Sequence, residues 1–112
     1  MQIIPFLPDP GKSITQFGSQ QAVGRHLADL TGSATIAAIR IEPGGLLGFH
    51  PATDEQLLCV IEGEGDVCGS DRVFQPLAAG QAALWRRGEN HEIRSFGGLT
   101  ALVIEGQQVA PV

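Results

Sequence analysis

The sequence predicts a single all-β domain closed into a small barrel, and three observations carry that expectation. The chain has 112 residues, enough for one core and too few for two. Hydrophobic residues make up 43% and charged residues 17%, a composition that folds and is far from that of disordered chains. Fifteen glycines punctuate the chain between short apolar runs, the pattern of many strands joined by turns.

The elements follow in chain order. Residues 1–33 read as an N-terminal extension that covers the barrel, within one domain spanning 1–112. Inside it, Ser19–Leu30 places Ala22, Val23, Leu27 and Leu30 roughly on one helical face, but Gly24 interrupts the pattern and an extended segment is expected. Strands are expected at Thr35–Ile41, Gln56–Ile61, Ala82–Trp85, His91–Ser95 and Thr100–Ile104, each short, free of proline and without helical periodicity. Gly63 and Glu64 between apolar runs suggest a two-residue hairpin turn, which would pair residues whose numbers sum to 127 and set Cys59 opposite Cys68 as a packed thiol pair or a redox pair. Residues 57–61 are apolar at every position, so both faces of that strand need cover. The barrel interior supplies one cover; an N-terminal strand or a second subunit supplies the other.

Composition excludes several functions. The net charge of −5, with no basic cluster larger than Arg86-Arg87, argues against a nucleic-acid partner. The prolines at 5, 8 and 10 and the absence of a basic start argue against a signal peptide, and no apolar run is long enough to span a membrane. A cytoplasmic location without membrane association is the expectation. Two cysteines are too few for a disulfide framework.

Two of the three histidines follow glycine-rich turns. Gly44, five residues, His50, then Ala52, Gln56 and Gly63 form one spaced set; Gly80, five residues, Arg86, then Gly88, His91 and Ser95 form another. In these spacings the chain resembles the cupin superfamily over Gly44 to Ser95. In the first cupin motif His50 matches the first histidine, Ala52 stands where the second would be, and Gln56 stands in the glutamate position. In the second, the glycines and His91 match, while Arg86 and Ser95 depart. His26 lies in neither motif and reads as a surface residue.

The resemblance implies a double-stranded β-helix, or jelly-roll barrel, a homodimer, and a pocket holding His50, Gln56 and His91. Cupin-like sites collect histidines and a carboxylate around a divalent transition metal such as Fe, Mn, Ni or Zn. Here two imidazoles and a neutral amide remain, so metal affinity is expected to be reduced. Glu55 and Glu92 neighbour the motif residues, but strand alternation points them to the opposite face. Two functions are therefore carried forward. One is a metal-dependent enzyme of the dioxygenase or isomerase type acting on a small organic substrate. The other is a metal-free, non-catalytic small-molecule binding or sensing module, in which His50 and His91 with Gln56 orient a polar ligand. Arg86 is a further candidate for an anionic ligand, and Trp85 reads as a packing residue. A dimer interface is expected on the N-terminal segment and the outer face of Leu57, Cys59 and Ile61.

Overall fold

The computed structural model describes all 112 residues. Ten strands form: β1 Gln2–Pro5, β2 Lys12–Ser13, β3 Val23–Gly24, β4 Ala28–Ile41, β5 Gly45–Pro51, β6 Glu55–Cys68, β7 Gln75–Ala78, β8 Gln81–Trp85, β9 Asn90–Ser95 and β10 Leu99–Pro111. The only helical element is a single 3-10 turn at Gln16–Gly18. The sheet order β1-β8-β6-β10-β4 makes one wall of a barrel; β5-β9-β6-β7 makes the facing wall. All the pairings are antiparallel. Every strand expected from the sequence is present, and Ser19–Leu30 is not helical.

The hairpin at Gly63 does not form. β6 instead runs straight through as a 14-residue strand and changes partners on the way. Its first half pairs with β8 and β10, and its second half pairs with β7 and β9, so one strand belongs to both walls. Gly63 marks the crossing: it adopts φ +81°, and a Cβ there would lie 2.2 Å from the Gly98 carbonyl oxygen. Beside it, between Thr100 and Ala101, the β6/β10 register slips. Glycine is thus spent on a bulge that bends the strand between sheets, where the local sequence suggested a reversal. With the hairpin gone, Cys59 lies opposite Ala82 and Cys68 opposite Glu92. The two thiols are buried, free and not partners.

Strand parity sorts the core. Leu58, Val60, Ala83, Trp85, Ala101 and Leu99 point into the barrel and meet Val67, Leu77 and Ile93 from the facing wall. The alternate residues Leu57, Cys59, Ala82 and Leu84 point outward and form a second core with Ile4 and Val109, flanked by Phe6 and Leu27. The continuous apolar run of β6 is explained by these two covers. The N-terminal segment reaches the barrel as a true strand, β1, hydrogen-bonded along β8. Residues 28–33, placed in the extension by the sequence reading, belong to β4 and pair with the end of β10. Because this second core is filled from within the chain, Leu57 and Cys59 are 1% and 5% exposed and offer nothing to a second subunit; Ile61 remains exposed at 53%.

Candidate functional site

The motif residues converge at one mouth of the barrel. His50 on β5 and His91 on β9 are register partners across an irregular pairing, and their rings lie 4.3 Å apart. His91 is buried and its other face stacks on Trp85 at 4.6 Å and 28°. Trp85 is fully buried, and its indole N–H donates to the Cys68 carbonyl oxygen at 3.1 Å, which fixes the ring as the floor beneath the histidines. Gln56 on β6 is the register partner of Trp85 on β8, so both project to the same face. The line His50, His91, Trp85, Gln56 is therefore continuous.

It ends on a residue that the motifs do not contain. Gln56 donates from Nε2 to the Glu105 carboxylate at 2.7 Å. Glu105 lies opposite Gln56 in the β10/β6 register and follows Ala101 and Val103 along the inward phase of β10. The signal was in the sequence: an acidic side chain on the apolar phase of Thr100–Glu105. It was missed because Glu105 lies downstream of both motifs, and the strand register alone brings it to Gln56.

The hydrogen bonds define the protonation of the imidazoles. A carbonyl oxygen only accepts, so the contact of His50 Nδ1 with Gly48 O at 2.6 Å makes Nδ1 the protonated nitrogen. His91 Nδ1 donates in the same sense to Glu89 O in a long contact of 3.4 Å. In each neutral ring the Nε2 lone pair remains available. Burial, reinforced by the neighbouring His50, lowers the His91 pKa below the usual 6.5 of histidine, which favours that neutral form.

Other sequence candidates are placed elsewhere. Arg86 is turned to the outer side, where its Nη1 binds both oxygens of Glu55, at 3.0 and 2.9 Å, and the Val109 carbonyl at 2.9 Å. It braces the outer core and does not face the histidines. Glu55 also accepts the Val109 N–H, and that bond is the main reason its pKa is lowered. Glu92 pairs with Arg94, away from the site, as strand alternation requires. His26 is exposed and bonded to Asp29. Ala52 is 2% exposed, and its backbone ties the two motif loops together through Ala52 N to Glu89 O and Gly88 N to Ala52 O.

The donor set does not fit a divalent metal. Ala52 brings no ligand, Gln56 directs its amide nitrogen to Glu105, and no three His, Cys, Asp or Glu side chains come close enough together to hold one metal ion. Two imidazoles fall short of the three or four ligands such ions take. The prominent hollows also lie away from His50 and His91. One of about 480 Å³ is apolar, between Leu7, Val23, Ile61 and Ala79; another of about 340 Å³ is framed by Lys12, Arg25 and His26. No helix is long and apolar enough to cross a membrane.

This architecture, two antiparallel walls sharing a strand with paired histidines at one mouth, is that of a double-stranded β-helix. Solved structures of that fold superpose on it. A cupin superfamily protein from Desulfitobacterium hafniense matches with a TM-score of 0.63 and 14% identity over 74% of this chain and 75% of its own. A protein with a double-stranded β-helix domain from Klebsiella pneumoniae matches with a TM-score of 0.60 and 22% identity, over 78% and 75%. A predicted oxalate decarboxylase from Thermotoga maritima matches with a TM-score of 0.57 and 22% identity, over 69% of this chain and 65% of its own. No family model matches the sequence, and no curated protein matches it. The chain has the cupin fold, as the spacing of its two motifs implied.

Proposed function

We propose that this cupin-fold chain is a metal-free module that binds a small, donor-rich polar molecule at the mouth formed by His50, His91, Gln56 and Glu105. The observation that carries the reading is the Gln56–Glu105 bond, which occupies the glutamate position of the motif with a neutral amide and holds the nearby carboxylate. Two Nε2 lone pairs and a carboxylate are all hydrogen-bond acceptors, so they suit hydroxyl or amino groups, and the negative charge of Glu105 disfavours an anionic ligand. Leu47 and Val103 sit opposite inward-facing Ile93 and Leu58 and supply apolar contact beside these groups. His50 is exposed and gives the ligand access.

The test has two arms. Thermal shift against a panel of small polyols, amino alcohols and carboxylic acids should give stabilisation by the first two classes, lost in Glu105→Ala and His91→Ala. Metal content and calorimetric titration with Fe, Mn, Ni and Zn should give no stoichiometric binding. Near-stoichiometric metal that disappears in both His50→Ala and His91→Ala would overturn the reading in favour of a metal-dependent enzyme on a small organic substrate.

A further inference from the structure

Seven lysines and arginines stand against 12 acidic residues, and most of the seven are neutralised within the fold. Arg40, Arg86, Arg87 and Arg94 pair with the carboxylates of Glu42, Glu55, Asp54 and Glu92. Arg72 lies over the ring of Phe49, 3.8 Å from its centroid. The remaining two, Lys12 and Arg25, have no Asp or Glu oxygen within 4.0 Å. Both line the same hollow of about 340 Å³, together with Pro10, Gly24, His26 and Val112, and no acidic side chain belongs to that lining.

The fold brings these cations together deliberately. The β2/β3 register sets Lys12 directly opposite Gly24, one residue before Arg25. Arg25 is fixed by two backbone oxygens: its Nη1 donates to Pro5 O at 2.6 Å and its Nη2 to Val112 O at 3.1 Å. A guanidinium carries five N–H groups, so most of its donors remain for a ligand. His26 donates from Nε2 to Asp29 at 2.8 Å, which leaves Nδ1 of the neutral ring as an acceptor for a hydroxyl group. Even with a full negative charge on Val112, Lys12 and Arg25 keep the hollow positive, in a chain whose net charge is −5. Two like charges lining one space repel each other, and an anion seated between them removes that cost. A phosphate dianion matches two cations where a carboxylate brings a single charge, and the arginine fork and lysine ammonium are both phosphate-binding groups. The volume falls at the low end of the roughly 300–1,000 Å³ of small-molecule pockets, and Pro10 and Val112 offer apolar walls to a short carbon body. Two cations alone on an acidic molecule are too few for a polyanion such as a nucleic acid.

We infer that this hollow is a second binding site, for a small organic phosphate such as a phosphorylated alcohol of a few carbons, with the phosphate between Lys12 and Arg25 and a hydroxyl group on His26. The site shares no residue with the mouth formed by His50, His91, Gln56 and Glu105. The two sites take ligands of opposite character, since Glu105 disfavours an anion at the mouth. Arg25 already joins Pro5 to Val112, so a ligand held by Arg25 and Lys12 also braces the β2–β3 ribbon against the end of β10.

The test is calorimetric titration of the intact chain, at fixed ionic strength, with glycerol phosphate, inorganic phosphate and acetate. Glycerol phosphate should bind once per chain, inorganic phosphate more weakly, and acetate should give no heat beyond dilution. Lys12→Ala removes an exposed side chain that has no partner in the fold, and should weaken glycerol phosphate at least about 10-fold without loss of structure. Lys12→Arg should restore the affinity to within about 3-fold, and Arg72→Ala should leave it unchanged. No binding of either phosphate would overturn the proposal, as would binding that Lys12→Ala leaves intact or that Arg72→Ala weakens equally. Equal affinity for inorganic phosphate, or acetate bound as tightly as glycerol phosphate, would overturn the assignment to an organic phosphate.

Discussion

His91 sits between Trp85 and His50 with its ring withdrawn from solvent, and this placement has a thermodynamic sign. Burial first, and the His50 charge second, hold its folded-state pKa below the unfolded 6.5. Between those two values the unfolded chain binds more protons than the folded one, so stability rises with pH there. The contribution is complete above pH 6.5 and is lost as pH falls from 6.5 through the folded pKa. Denaturant midpoints recorded from pH 8 to pH 5 should therefore fall on the acid side, and His91→Phe, which keeps a ring on Trp85, should flatten that slope. An unchanged slope in the variant would mean that another group titrates. Cys59 illustrates the same physics at a thiol: burial pushes its pKa up to about 11, which keeps it in the protonated form and away from the reactive thiolate.

At the scale of elements, β6 decides more than any other strand. It contributes Leu58 and Val60 to the interior, Leu57 and Cys59 to the outer core, and Gln56 to the mouth, and then crosses to the second wall. That crossing depends on Gly63, whose positive φ and contact with Gly98 leave no space for a side chain. Gly63→Ala should cost about 2–4 kcal/mol, combining the left-handed penalty with displacement of a backbone carbonyl. A chemical denaturation curve that matches the wild type would show that the bulge relaxes freely. The loop ties of Ala52 act at the same scale, since they hold β5 and β9 in the register that stacks His50 against His91. The Arg86 brace works on the outer side of the facing wall, between Glu55 on β6 and Val109 on β10.

At the scale of the whole molecule, one core fills the barrel interior and a second lies on the outer face of β6 and β8, covered by the chain's own N-terminal and C-terminal segments. The sequence by itself determined the all-β class and the position of five strands, because short proline-free apolar runs and glycine punctuation are local properties of the chain, and the cupin resemblance of its two motifs implied that His50 and His91 share one pocket. It also determined that Glu55 and Glu92 turn away from the site, which follows from parity alone. Only the tertiary structure decided that Gly63 bends a strand instead of reversing it, that Arg86 braces the outer core, that the chain covers Leu57 and Cys59 itself, and that Glu105 meets Gln56. Each of these depends on which strands become neighbours and in what register, and register is set by packing between segments far apart in sequence, which no local pattern encodes.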